Sequence, residues 1–92
     1  MDLIRFRILV NGLVQGVGFR YYTLRIAEQF GATGFVKNNY DGSVSIEIQS
    51  KLSIINNILS EIKRGPSHSF VREFQKIEIE VVIDEIGFKI IK

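Results

Sequence analysis

The 92-residue chain contains no cysteine, so it has no disulfide framework, no thiol nucleophile and no thiolate ligand for a metal. A reduced, cytoplasmic setting is therefore the default expectation. A hydrophobic core has to hold the fold together instead, and 46% hydrophobic and 24% charged residues are ordinary values for a globular protein. At this length we expect one domain over residues 1–92, without an internal repeat or linker.

Histidine is nearly absent as well. His68 is the only one, and it lies in the polar stretch PSHSF with no partner at the spacing of metal ligands. The same scarcity excludes a Ser-His or Cys-His nucleophile pair. We therefore expect a protein that needs no metal, in which His68 is a solvated loop residue without a catalytic role.

Long apolar runs and basic tracts are also missing. No stretch has the length and apolar character of a membrane span, and the first residues, MDLIRFR, lack the pattern of a signal peptide. The net charge is only +2, and the Lys and Arg residues are scattered. We therefore expect neither a membrane nor a nucleic acid as a partner.

One short run does resemble part of a nucleic-acid-binding module. Gly34-Phe35-Val36 echoes the RNA-recognition motif, in which aromatic residues of the third strand stack on bases. Here the run lies on the second predicted strand, and the third, SVSIEIQ, contains no aromatic residue. The position of the run therefore argues against RNA binding.

Apolar residues at helical spacing predict two amphipathic helices. The first covers about Phe19 to Phe30 and ends at Gly31, which can adopt the left-handed conformation. The second begins at a cap formed by Ser50 or Ser53 and ends at the run KRGP, residues 63–66. Its inward face consists of Ile55, Ile58, Leu59 and Ile62.

Alternation of apolar and polar residues predicts the strands. They cover residues 4–10, 33–38, 44–48 and 76–83, followed by a short strand at Phe88 and Ile90. Asp41-Gly42 is a tight-turn signal between the second and third. The order β-α-β-β-α-β plus a terminal strand predicts an α+β fold of the ferredoxin-like type. Its two helices would lie on one face of a largely antiparallel sheet.

The stretch VNGLVQGVGFR, residues 10–20, is where chemistry is expected. Gly12, Gly16, Gly18 and, further on, Gly34 frame Arg20, which lies where the first helix begins. Glycines allow a loop to turn N–H groups toward one point, and a helix N-terminus adds free donors and partial positive charge. With the guanidinium alongside, this arrangement fits a phosphate-like anion. The alternative is a glycine-rich turn that carries a surface arginine.

Asn38, at the end of the second predicted strand, is the other candidate. Its amide can donate a hydrogen bond to a water molecule and accept one from another group at the same time. The alternative is a turn asparagine that satisfies the backbone of the following hairpin.

Two stretches of the chain resemble the acylphosphatase family. VNGLVQGVGFR fits the family pattern V-x-G-x-V-Q-G-V-x-F-R, and GFVKN followed by Gly42-x-Val44 fits G-F-V-x-N-x-x-x-G-x-V. The spacing and the ending GFKI also fit, so the resemblance spans essentially the whole chain. Ser50 replaces the glycine that usually closes the second pattern, and we expect it to open the second helix. Asn39 stands where many members carry a hydroxyl residue, which would affect the fine tuning of Asn38.

The resemblance implies hydrolysis of an acyl phosphate to a carboxylate and inorganic phosphate, without a metal, cofactor or covalent intermediate. Inorganic phosphate would be both product and inhibitor, and we expect a monomer. The phosphate would be held by Arg20 and by the N–H groups of Gln15, Gly16, Val17, Gly18 and Phe19, while Asn38 would position the attacking water. The bound phosphate itself is one candidate for the general base, and the sequence leaves that choice open.

Two other functions remain from the sequence. The resemblance extends to the first domain of hydrogenase-maturation carbamoyltransferases, which acts on carbamoyl phosphate, but those enzymes are far longer, and this length favours a stand-alone enzyme. The fold is also a common small-molecule-binding and regulatory module. The presence of both Arg20 and Asn38 favours an enzyme over such a module.

Overall fold

The computed structural model describes residues 2–92, which form five strands and two helices. In chain order the elements are β1 (Leu3–Leu13), α1 (Phe19–Phe30), β2 (Thr33–Asn38), β3 (Val44–Lys51), α2 (Leu52–Arg64), β4 (Phe70–Ile79) and β5 (Phe88–Ile91). The strands lie in one sheet in the order β4-β1-β3-β2-β5, and every neighbouring pair is antiparallel except β2 and β5. This arrangement confirms the predicted ferredoxin-like α+β fold.

Both helices bury their apolar stripes in a common core with the inward side chains of the sheet. The four aliphatic residues predicted for the inward face of α2 are all buried. They pack in one cluster with inward residues of the strands, among them Ile8, Val10, Val36, Val44, Ile46 and Ile48. Neither helix in the described part of the chain is long and apolar enough to cross a membrane.

The first helix has the predicted bounds. Gly18 precedes it at φ 81° and Gly31 ends it at φ 70°, both in the left-handed region that favours glycine. The Gly31 conformation lets the following N–H groups donate to carbonyls of the last turn, those of Ala27 and Glu28. Arg20 therefore lies in the first turn, as expected.

The predicted serine cap of the second helix is wrong. Ser50 is still in β3, where it is buried and pairs with Ile4, and the residue before the helix is Lys51, which makes no side-chain cap bond. The backbone replaces the cap, because the N–H of Leu52 donates to the carbonyl of Asp2 at 2.7 Å. The departure from the family pattern at Ser50 therefore lies in a strand.

The predicted fourth strand is wrong in both position and orientation. β4 begins at Phe70 and ends at Ile79, so Val81 and Ile83 lie outside it. Ile77 pairs with Arg7 on the sheet face opposite the helices and is 62% exposed, whereas Lys76 pairs with the core residue Ile8. Since β4 is an edge strand with no neighbour beyond it, alternation did not reveal which of its faces is inward.

The segment of residues 80–87 crosses the sheet face opposite the helices, because the strands it joins, β4 and β5, lie at opposite edges. It covers Arg5, whose side chain is only 2% exposed, although alternation predicted a solvent-facing position. The Arg5 guanidinium contacts Glu85 at 2.6 Å and Glu47 at 3.1 Å. Gln49 accepts from the N–H of Val82 and donates to its carbonyl, which fixes the crossing segment to β3.

Candidate active site

The glycine loop between β1 and α1 opens toward a cavity. Gly16 and Gly18 adopt φ angles of 75° and 81°, which L side chains rarely take. A Cβ atom at either position would meet no other atom within 4 Å, so free space lies beside the loop. This loop conformation would therefore be strained for residues other than glycine, and its backbone is accessible.

The N–H groups of this loop are free to bind a ligand. The first helical bond runs from Tyr22 N to the carbonyl of Gly18 at 3.0 Å, and among residues 2–92 no N–H from Gln15 to Tyr21 donates to another group. The first turn of α1 contains no acidic residue. A helix N-terminus with free donors carries a partial positive charge, which favours an anion.

A cavity of about 380 Å³ joins this loop to the end of β2. It is lined by Val14, Gly16, Gly18, Phe19, Arg20, Tyr21, Asn38, Ile90 and Lys92. The structure therefore brings Arg20 and Asn38 to one cavity, although they are 18 positions apart in the chain.

Gly12 and Gly34, which the sequence grouped with the loop, do not line the cavity. They serve strand packing. A Cβ atom on Gly12 would collide with the Phe70 carbonyl of β4, and one on Gly34 with the Glu47 carbonyl of β3. These glycines allow close approach of backbones within the sheet.

Asn38 carries a buried atom without a partner. Its Oδ1 is the one buried side-chain oxygen or nitrogen among residues 2–92 that makes no hydrogen bond. Burying an unpaired polar atom costs roughly 1–3 kcal/mol, so its retention calls for an explanation. Asn38 is a lining residue of the cavity, so a small rotation of its amide would bring Oδ1 to a ligand or water there.

The turn between β2 and β3 is satisfied without Asn38. Asn39 donates through Nδ2 to the hydroxyls of Ser43 and Ser45 at 2.9 and 2.8 Å. Asp41 accepts from the N–H and hydroxyl of Ser43. Asn39, which stands where many members of the family carry a hydroxyl residue, therefore stabilises the turn.

Gln15 has a side-chain contact that the sequence did not indicate. Its Nε2 donates to the carbonyls of Asn39 and Ser43, both at 2.8 Å, and so ties the glycine loop to the β2–β3 turn. Neither Gln15 nor Val17 is among the residues that line the cavity. Any role of these two residues toward an anion would fall to their backbone N–H groups.

The cavity is positively charged. Arg20 makes no hydrogen bond or ion pair within residues 2–92, and no Asp or Glu is among the lining residues. Lys92 adds a second cation that the sequence reasoning missed, because its approach depends on the pairing of β5 with β2. His68 lies outside the cavity, in the connection between α2 and β4.

A larger cavity of about 650 Å³ lies at the other end of the sheet, between the end of α1 and residues 81–85. Two of its polar side chains are already engaged, because Gln49 binds the backbone of Val82 and Glu85 binds Arg5. We therefore place the candidate active site in the smaller cavity, where free donors and a free arginine converge.

Comparisons with known proteins agree on one family. The acylphosphatase family model matches residues 6–90. The acylphosphatase of Moorella thermoacetica is 39% identical over 90 residues, which cover 98% of this chain and 96% of that relative. The crystal structure of acylphosphatase from Bacillus subtilis is similar with a TM-score of 0.92 and 31% identity, over 97% of this chain and 99% of that one. Full-length HypF in its phosphate- and nucleotide-bound form has a TM-score of 0.88 and 35% identity, over 98% of this chain but 12% of its own.

Proposed function

Because the chain belongs to the acylphosphatase family, it has acylphosphatase activity, and we propose that it hydrolyses acyl phosphates in the cavity between the glycine loop and the end of β2. The observation that carries this proposal is the presence of Arg20 and Asn38 on one cavity, where both lack a partner. Within residues 2–92, the Oδ1 of Asn38 lacks a hydrogen-bond donor, and the guanidinium of Arg20 lacks an anionic partner.

The phosphoryl group of the substrate binds at the glycine loop. Arg20 supplies paired, charge-assisted hydrogen bonds, and the N–H groups of residues 15–19 supply further donors. These contacts neutralise charge in the ground state and in the transition state alike. The free N–H groups and the absence of an acid from the cavity lining support this assignment.

Asn38 positions the attacking water. Its Oδ1 accepts a hydrogen bond from the water, which satisfies the buried atom and directs the water oxygen toward phosphorus. The water oxygen forms a bond to phosphorus while the bond from phosphorus to the acyl oxygen breaks, and the carboxylate leaves with that electron pair. A mixed anhydride is already activated, so positioning and charge stabilisation suffice without a protein nucleophile.

The proton of the water passes to an oxygen of the bound phosphoryl group. No Asp, Glu or His is among the described residues that line the cavity, which supports the substrate itself as the base. The products are then the carboxylate and inorganic phosphate.

The remaining expectations come from the sequence. A monomeric state, a cytoplasmic location and independence of metals stay predictions. The match to HypF covers 12% of that chain, and the match to the Bacillus subtilis acylphosphatase covers 99% of that one.

Release of phosphate from benzoyl phosphate tests the proposal, with substitutions at Arg20 as the decisive variants. Arg20→Ala should lower kcat/KM by at least about two orders of magnitude, because two charge-assisted bonds of roughly 1.5–3 kcal/mol each are lost. Arg20→Lys should still lose much of the activity, since lysine keeps the charge but not the fork. Arg25→Ala, an exposed arginine on the same helix, is the matched control. Equal activity of Arg20→Ala and Arg25→Ala would place phosphate binding elsewhere.

A further inference from the structure

Lys92 is the second cation of the cavity, and nothing in the proposed reaction uses it. It lines the same cavity as Arg20 and Asn38 and forms no ion pair within residues 2–92. The phosphoryl group already has Arg20 and the free N–H groups of the loop. The ammonium of Lys92 is thus available for another part of the substrate.

The pairing of β5 with β2 explains how Lys92 reaches the site. The two strands run parallel, with Val36 opposite Ile90 and Lys37 opposite Ile91. Lys92 directly follows β5, and continuing this register by one residue would place it beside Asn38, at the usual strand separation of about 4.8 Å. Since side chains alternate, Lys92 extends on the same face as Ile90, toward the helices and the cavity.

The wall next to Lys92 is apolar. Ile90 and the aromatic ring of Tyr21 line the cavity together with Lys92, and Tyr21 is 69% exposed, so this wall reaches the cavity mouth. In a bound substrate, an acyl group that extends from the phosphate along this wall would contact the apolar side chains first and the ammonium beyond them. Within residues 2–92, no Asp or Glu side chain lines the cavity to compete for that cation.

We propose that Lys92 is a specificity-determining residue that favours acyl phosphates whose acyl group carries a second negative charge. This inference rests on the proposed function, because it assigns the acyl end of the same site. Lys92 is itself exposed, so the attraction acts through solvent and is modest, about three- to fivefold in kcat/KM. It should fade in about 1 M salt, where the Debye length is near 3 Å.

The test compares two substrates that differ in one charge, benzoyl phosphate and 4-carboxybenzoyl phosphate. Lys92→Gln should lower kcat/KM about three- to fivefold for the carboxylated substrate, mainly through KM, and leave benzoyl phosphate nearly unchanged. Lys92→Glu should lower it further by repulsion, and Lys92→Arg should restore the preference. Lys89→Gln is the matched control, since Lys89 is an exposed cation of the same strand that does not line the cavity.

The outcomes separate this inference from the proposed function. If the unmodified protein hydrolyses benzoyl phosphate and Lys92→Gln leaves the ratio of the two substrates unchanged, the assignment of Lys92 is wrong and the proposed function stands. Equal losses on both substrates would also overturn the assignment, because they would indicate an effect on the shared phosphate. If the unmodified protein hydrolyses neither substrate, the proposed function fails and this inference fails with it.

Discussion

Two adjacent asparagines at the end of β2 have different surroundings, which fits the water-binding role that we propose for Asn38 and a structural role for Asn39. Asn38 lines the cavity and has an unpaired, buried oxygen. The side-chain nitrogen of Asn39, by contrast, donates hydrogen bonds to two serine hydroxyls of the turn. A site that must accept a water keeps a polar atom unsatisfied in the empty protein, at a cost in stability. In the neighbouring Asn39, the side-chain nitrogen donates two hydrogen bonds within the turn.

This division predicts opposite effects on stability. Asn38→Ala should leave the free energy of unfolding unchanged or raise it by up to about 1 kcal/mol, because it removes a desolvated atom without a partner. Asn39→Ala should lower it by about 1–2 kcal/mol, because two hydrogen bonds are lost. Urea unfolding of the three proteins without added phosphate measures both changes. A larger loss for Asn38→Ala than for Asn39→Ala would show that Asn38 has a structural role.

The glycine loop is the element in which we propose that backbone conformation determines phosphate binding. Gly16 and Gly87 have the same φ angle of 75°, and a Cβ atom at either position would meet nothing within 4 Å. They differ in location, because Gly16 lines the cavity and Gly87 precedes β5 outside it. Comparing substitutions at Gly16 and Gly87 therefore separates the effect of backbone strain from the effect of the loop on anion binding.

Gly16→Ala and Gly87→Ala should cost similar stability, about 1–2 kcal/mol each, since both force alanine into the left-handed region. Only Gly16→Ala should also lower kcat/KM on benzoyl phosphate, by about tenfold or more, because it redirects N–H groups away from the phosphate. Melting temperatures and rates of both variants give the comparison. Similar activity of the two variants would contradict a phosphate-binding role for the loop.

At the scale of the whole molecule, the segment of residues 80–87 joins the two edges of the sheet and covers part of the face opposite the helices. Its anchor is the ion pair between Glu85 and the buried guanidinium of Arg5. Burial alone would raise the pKa of the Glu85 carboxyl, but hydrogen bonds from Arg5 and Thr33 outweigh it and hold that pKa below its ordinary value of 4.5. The pair therefore stabilises the fold above pH 4.5, and its contribution is lost as the pH falls through the lowered pKa.

Glu85→Gln should lower the free energy of unfolding at pH 7 by roughly 1.5–3 kcal/mol, the usual value for a hydrogen bond with a charged partner. The difference from the unmodified protein should shrink as the pH falls below 4.5, because protonation of Glu85 then weakens the same pair. Glu61→Gln is the control, since its pair with Arg64 is exposed and 3.6 Å long. A difference that stays constant down to low pH would contradict the role of this ion pair.

The sequence predicted the features that depend on local chemistry. The bounds of α1 follow from Gly18 and Gly31, and the turn after β2 follows from Asp41-Gly42. The sequence did not predict the features that depend on contacts between elements far apart in the chain. Alternation placed Arg5 toward solvent, yet a segment 80 residues further along the chain covers it. The register between β5 and β2, which brings Lys92 to the cavity, likewise has no signal in either strand alone.

The central claim is that Asn38 activates water at a site where Arg20 and the glycine loop hold the phosphate. Turnover of benzoyl phosphate by Asn38→Ala tests it most directly, with inhibition by inorganic phosphate recorded in the same assay. We expect kcat to fall by at least about a hundredfold while the inhibition constant for phosphate stays within about twofold. Normal turnover by folded Asn38→Ala would contradict the claim.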